Sequence, residues 1–349
     1  MKYNQPYGIS DPNAVYINGN PTTGTMGSIP PAESIEYDQR EIVAVIQWAA
    51  DHGYHDMVGA LCANPSNADL QQLLKAIWGL VNSNKLTAPQ TYYVNTTTGN
   101  DNNPGTSSGA AFKTIQRAVN QCSVFNLNGF NIQIVVADGT YGKVILPNIN
   151  GTGYIFITGN SAIPGNCIIH ANAGPALQVN GQNYVVTGFR FESDVYDSTT
   201  GFPGAGIWNS GAANFTLGGS GTAVEFGFCA DGHIMATVGA IGIAGGTAIR
   251  IKGNSANFIN ANISAWVFTA NIPAFPTIVI PEAHSIGVFI NCAGNANTGA
   301  IFSSFSGAAN VTGQKYSAAT NATINSNGGG INYYPGTIAG VTGTGGQYL

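Results

Sequence analysis

The spacing of apolar residues changes character along this chain. Over residues 38–51, Ile42, Val45, Ile46 and Ala49 fall on one stripe, which predicts an amphipathic helix with Gly53 as its stop. A second helix is predicted over 67–83, capped by Ser66 or Asn67, with Leu70, Leu73, Leu74, Ile77 and Val81 as its apolar face. Two such short helices bury little surface alone, so self-association or docking on another protein is expected to complete their core. Residues 84–90 (NKLTAPQ) read as a linker, and Tyr92, Tyr93 and Val94 start a strand. After a turn-rich run, Phe112, Ile115, Val119 and Cys122 return at helical spacing. From about 130 to 311 the helical period disappears. Short apolar runs such as NIQIVVADG, GYIFITGN and NYVVTGFRF alternate with turns bearing Gly and Asn.

A weak repeat underlies these runs. Gly174-Pro-Ala-Leu-Gln-Val aligns with Gly221-Thr-Ala-Val-Glu-Phe and with Gly246-Thr-Ala-Ile-Arg-Ile. Gln133, Phe156 and Gln178 recur at nearly equal intervals. A period of about 22–25 residues, doubled between Gly174 and Gly221, suits one coil of a three-sheet parallel β-helix of roughly eight coils. The expected fold class is therefore all-β: a right-handed parallel β-helix with a small N-terminal α-helical region. In such a fold each strand pairs with its equivalents one coil away, so like side chains stack. Asn, Ser, Thr and aliphatic columns tolerate this where charged columns repel. Open coil ends are sheet edges that need covering, and the helix at 112–122 is placed to plug the first coil. A β-sandwich is the competing fold; it would show hairpin turns roughly every 8–12 residues and stronger polar alternation.

Composition agrees with stacking. Only 8% of residues are charged, against roughly 25% in an ordinary globular chain, and Gly accounts for 47 of 349. No apolar run reaches the roughly 18 residues that a membrane span needs, so no membrane insertion is expected. Residues 1–85 carry eight acids and four bases, and residues 86–349 carry eight and seven. Neither part has a basic patch, which argues against a nucleic-acid partner. Cys62, Cys122, Cys167, Cys229 and Cys292 lie far apart with no C-x-x-C pair, so buried free thiols are expected rather than zinc ligands. The first residues lack the apolar core of a signal peptide, which fits synthesis in a bacterial cytoplasm. Residues 1–34, rich in Gly, Pro, Asn and Tyr, cannot form a core of their own. Their Tyr3, Tyr7, Ile9, Tyr16 and Ile17 favour an extended arm lying on a partner.

The stretch TYYVNTTTGNDNNPGTSSGAAFKTIQRAVN, followed by VVADGTYG, resembles the leading segment of pectate-lyase-like β-helices. The head, YGISDPNAVYINGNPTTGTMGSIPPAESIEYDQREIV, and the tail, YYPGTIAGVTGTGGQYL, are similar to the ends of bacteriophage and prophage tail proteins. These stretches cover both ends of the chain and the start of the β-region, and the middle matches only in texture. The resemblance implies a tail spike or tail fibre subunit: a homotrimer in the virion tail, attached to a tail or baseplate protein through residues 1–86. Host surface polysaccharide would meet the β-helix. The segments expected are an arm (1–36), a helical attachment domain (37–86), the β-helix (91–312) and a tail segment (313–349).

Enzymatic tail spikes cleave polysaccharide with paired carboxylates. The one acidic cluster in the β-helix is Arg190-Phe-Glu192-Ser-Asp194-Val-Tyr-Asp197. With Phe189 and Phe191 inward, Arg190 and Glu192 point outward, and carboxylates two residues apart on a strand stand roughly 6.5–7 Å apart, a separation that suits an inverting pair. Glu192, Asp194 and Asp197 are thus the candidate catalytic acids. Arg190, Tyr196, Phe202 and Trp208 are candidate glycan contacts, the aromatics by stacking on sugar rings. The plainer alternative makes Arg190 and Glu192 a solvated ion pair. Asp138 reads as an Asx turn, Glu282 and His284 as loop contacts, and His52 and His55 as a helix end rather than a metal site. No calcium cluster, Ser-His-Asp order, P-loop or dinucleotide fingerprint stands out, so no cofactor or metal is expected. The leading expectation is a structural, host-contacting tail protein, with a polysaccharide depolymerase as the alternative.

Overall fold

From Gln90 the chain winds as a parallel β-solenoid of about eight coils with three strands to a coil. The structure is a computed structural model that describes residues 6–11, 13–30, 32–54, 60–66, 69, 71–82, 84–211, 214–269 and 274–349. Of the positions singled out above, Tyr3, His55, Asn67 and Leu70 lie outside the described residues.

Ten strands, from Gln90–Val94 to Gln347–Tyr348, build the first sheet. The remaining fifteen form a second face of seven and a third of eight, which merge where Cys229 pairs with Ser255. Each strand turns alternate residues inward. Along the first sheet this stacks Ile132, Ile155, Tyr184, Phe215, Ile241 and Val267 in one column. Along the third it stacks Leu177, Ile207, Ile234, Ile259 and Ile290. These side chains are buried, and each contributes about 1.5–3 kcal/mol through loss of apolar surface to water.

The coils are less regular than the sequence repeat predicts. The coil from Ile132 to Ile155 keeps the expected length, whereas the one from Tyr184 to Phe215 is markedly longer. The alignment of Gly221 with Gly246 is correct, since Val224, Glu225 and Phe226 pair with Ile249, Arg250 and Ile251. Gln133 likewise pairs with Phe156. The alignments to Gly174 and Gln178 are not. Gln178 belongs to the third sheet, beside Ile145 and Trp208, and Phe156 pairs with Val185. Corner loops of unequal length displaced the period, and similar local texture on two different sheets supplied a false match. The strand Val311–Ala318 crosses the expected boundary at 312, and the strands at Val341–Thr342 and Gln347–Tyr348 pair onward from the preceding coil.

Two helices, α1 (Ala32–Asp51) and α2 (Gln72–Asn82), belong to a separate compact unit, residues 1–85. Ile46, Ala49, Cys62 and Ala76 form its small core, with Tyr54 and Leu73 packed against it. Ile42 and Val45 of the predicted stripe remain exposed, as do Leu74, Ile77 and Val81. Against the sequence expectation, α2 buries Gln72, Ala76 and Gly79 and leaves Leu74, Ile77 and Val81 of its predicted apolar face exposed, with Leu73 alone of the described residues of that face packed on the core. The small residues permit close helix approach, and Leu74, Ile77 and Val81 are turned to the surface of this unit.

A third helix, α3 (Ile115–Ser123), covers the first coil with Ile115, Ala118, Val119 and Cys122, all fully buried. Phe112, which the spacing places in this helix, instead precedes it and bridges to Val94. The leading motif is the construction of this cap. Asp101 accepts hydrogen bonds from the Lys113 and Thr114 amides and the Thr114 hydroxyl, while Thr114 Oγ1 caps the Arg117 amide. Gly105, at φ +72°, lies against the Phe112 ring where any Cβ would collide. Gln116 donates to the Ile145 carbonyl and accepts from the Ile145 amide, at 3.0 and 2.7 Å. Its side chain thus satisfies the exposed edge of the first third-sheet strand, where another chain would otherwise pair.

The corner between the third and first sheets demands left-handed backbone in successive coils: Ile263–Ser264, Gly294–Asn295, Thr320–Asn321 and Thr344–Gly345. Ile263, at φ +48°, is one of three β-branched residues in this set, with Thr320 and Thr344, and its branched Cβ crowds the carbonyl in that conformation. It is also exposed, so little packing opposes its replacement. Ile263→Asn is expected to stabilise the protein by about 1 kcal/mol, read as a higher urea midpoint. A lower midpoint would contradict the strain argument.

Candidate functional site

Strand alternation places Arg190 and Glu192 on the outer face of Arg190–Ser193 and buries Phe191 and Ser193. The next coil brings Glu225 beside Arg190. Both Arg190 Nε and Nη2 bond Glu225 Oε1, and Nη1 stands 3.6 Å from Glu192 Oε1. Glu225 is only 4% exposed. The turn Pro164–Asn166 covers the pair: a Cβ on Gly165 would stand 3.0 Å from Arg190 Nη2 and 3.2 Å from Glu225 Oε1. One coil further, Arg250 donates to the Ala162 carbonyl of the same loop at 3.3 Å. Arg190 is therefore the centre of a covered ion-pair column. The solvated pair weighed from sequence becomes a largely buried one, because coil stacking supplies Glu225 and the preceding loop supplies a lid.

The other two acids turn elsewhere. Asp194 lies past the strand end, and its carboxylate meets His170 Nε2 of the preceding coil at 3.0 Å. Asp197 closes its own turn. Its Oδ1 accepts from the Thr199 and Thr200 amides, and its backbone bridges to Phe202. Hydrogen bonding from Thr200 holds the Asp197 carboxyl below the usual range. Glu192, Asp194 and Asp197 thus share a loop region but serve three different partners. For Asp197 this is the opposite of what a general acid for glycoside cleavage needs, a carboxyl held protonated by its surroundings.

The aromatic candidates gather around the corner that residues 194–204 make between the second and third sheets. Phe202 and Trp208 pack with ring centroids 4.7 Å apart, and Trp208 Nε1 donates to Thr237 Oγ1 at 3.0 Å. Tyr196 is exposed on the same loop. Trp208 belongs to the third sheet and Arg190 to the second, so the aromatic and charged halves occupy adjacent faces.

Other candidates settle into structural contacts. Asp138 accepts from Asn160 and Asn166 of the next coil. The Asx turn expected there is replaced by a tie between coils, because coil stacking brings those two amides over its carboxylate. Glu282 stands 3.7 Å from Lys252 Nζ and 3.9 Å from His284 Nε2. His52 stacks on Trp48 and bonds its carbonyl. All five cysteines are free and buried, and burial pushes the Cys122 and Cys167 thiols up to about 12. Among the described residues no group of three or more His, Cys, Asp or Glu side chains is arranged to hold a metal ion, and no helix is long and apolar enough to cross a membrane.

Sequence reasoning missed His170 and Glu225 as partners of the acidic cluster. Glu225 was within reach through its alignment with Arg250. The unequal coil lengths hid its pairing with Arg190 on the coil before.

No family model matches the chain, and no curated protein matches it. Among solved structures, the crystal structure of Escherichia coli YbhC is similar at 13% identity over 90% of this chain and 87% of that one, with a TM-score of 0.35.

Proposed function

We propose that the chain is a bacteriophage tail spike or tail fibre subunit that binds host surface polysaccharide without cleaving it. In this reading it forms a homotrimer in the virion tail and attaches to a tail or baseplate protein through residues 1–86. The similarity of the head and tail stretches to phage tail proteins supports the phage assignment. The uncovered apolar residues of α1 and α2, among them Ile42, Val45, Leu74, Ile77 and Val81, suit a segment whose core is completed by other chains. What carries the choice of binding over hydrolysis is the separate engagement of Glu192, Asp194 and Asp197 by Arg190, His170 and the Asp197 turn.

The test uses the full chain and the envelope polysaccharide of the bacterium that carries the gene. Reducing ends should stay at the buffer level while the protein is retained on immobilised polysaccharide. Sugar release that disappears in the Glu192→Ala/Asp194→Ala double variant would make the protein a depolymerase instead. Mass spectrometry of purified virions should find the chain; its absence there would remove the phage assignment.

A further inference from the structure

The first sheet differs in kind from the other two. Its ten strands, QTYYV, IQIVV, IFIT, YVVT, NFTL, AIGI, WVFT, NTG, TI and QY, contain no Asp, Glu, Lys, Arg or His. The charged strand residues of the solenoid, Arg190, Glu192, Glu225, Arg250 and Lys315, all lie on the second and third faces. On this uncharged face Trp266 and Phe268 point outward from one strand, 56% and 45% exposed, on either side of the buried Val267. Side chains so placed stand roughly 6.5–7 Å apart at their bases.

The coils on both sides make room for these rings. Phe268 lies against Gly242, where a Cβ would come to 3.1 Å of the ring. On the other side Gly299 pairs with Phe268, and a Cβ there would meet nothing within 4 Å. Asn297 pairs with Trp266. The result is a hollow of about 260 Å³ lined by Trp266, Phe268, Asn297, Gly299, Thr323 and Asn325. With Val267 and Thr298 the lining is complete: two aromatic rings, two amides, two threonines and no charged side chain.

We propose that this hollow binds a neutral glycan. A pyranose ring carries C–H bonds on its faces and hydroxyls around its rim. Aromatic rings cover the first, and amide and hydroxyl groups bond the second. The volume is just below the roughly 300–1,000 Å³ of sites that enclose a drug-sized molecule. It accommodates one sugar residue, with the polymer continuing over the open face. An anionic glycan would find no cation within the wall, so the ligand class is uncharged. The inference rests on the host-glycan reading above but moves the contact from the 190–208 loop to a different sheet.

The experiment is calorimetric titration of the full chain with maltotetraose, cellotetraose, chitotetraose and a mannose tetrasaccharide, alongside retention on the bacterial polysaccharide. At least one tetrasaccharide should bind with a saturable isotherm. Trp266→Ala should weaken it tenfold or more with an unchanged circular dichroism spectrum, Trp266→Tyr should retain much of it, and Phe228→Ala, at an exposed aromatic of the second face, should leave it intact. Binding that survives Trp266→Ala/Phe268→Ala, or that is lost in Phe228→Ala alone, would overturn the assignment. So would a wild-type assembly that this double variant breaks in sedimentation, because the face would then be a contact between copies of the chain. If the protein is retained on the polysaccharide but binds no tetrasaccharide, the site fails and the host-contact reading stands. Failure of both measurements removes both.

Discussion

Arg190→Ala should lower the unfolding free energy by about 3 kcal/mol, the lower end of the roughly 3–5 kcal/mol seen when one partner of a buried ion pair is removed. Glu225 is 4% exposed and receives two hydrogen bonds from this one guanidinium. Without it the carboxylate stays beneath the Pro164–Asn166 turn with no cation bonded to it. The lower end applies because Arg190 keeps part of its surface in water, which weakens the pair. Arg190→Met/Glu225→Leu should recover most of the loss, since neither charge then remains to be solvated. Urea unfolding followed by circular dichroism measures both. A single-variant cost under about 1 kcal/mol, the range of exposed pairs, would mean that water reaches Glu225 freely.

A second large effect depends on pH. His233 is fully buried against Phe226, with ring centroids 5.3 Å apart, and neither ring nitrogen has a hydrogen-bond partner. Burial drives its protonation down to about pH 3 from an ordinary value of 6.5. Above pH 6.5 the imidazole is neutral in both the folded and unfolded chains, so its contribution does not vary. Below 6.5 the unfolded chain takes up a proton that the folded chain refuses. Stability is therefore lost as pH falls from 6.5 toward 3, with the slope of one proton, about 1.4 kcal/mol per pH unit over most of that window. His284, whose protonation is also lowered by burial, adds in the same direction. His233→Leu should remove one proton's worth of slope between about pH 6 and 4. Parallel stability profiles for the two proteins would show that His233 is protonated inside the fold.

Much of the architecture was legible because a solenoid writes its geometry into composition. Strand-length apolar runs, turns rich in Gly and Asn and the scarcity of charge all follow from columns of like side chains. The cap was legible because Asp101, Gly105, Phe112 and Thr114 meet one another within a short stretch. The pairings across coils were harder to read. The separation of Arg190 and Glu225 exceeds the period that the repeat suggests, because corner loops absorb different lengths. For the same reason Leu177 was aligned with Val224 and Ile249, which belong to another face: the Gly-x-Ala-x-x-x neighbourhood looks the same on either. The carboxylate cluster was visible as a cluster, but which neighbour each acid serves depends on the coil above or below. Within residues 1–85, the presence of α2 was legible but its inner face was not, because that face is set by Ala76 and Gly79, which no hydrophobic period marks.

The uneven coils carry a further consequence. Ile169, Phe191 and Phe226 keep their places in one inner column although very different lengths of chain separate them. Residues gained or lost at a corner are looped outward and do not shift that column. The outer contour can therefore diverge rapidly between related chains while the axis is inherited unchanged, so sequence similarity should fade first at the surfaces that meet another molecule.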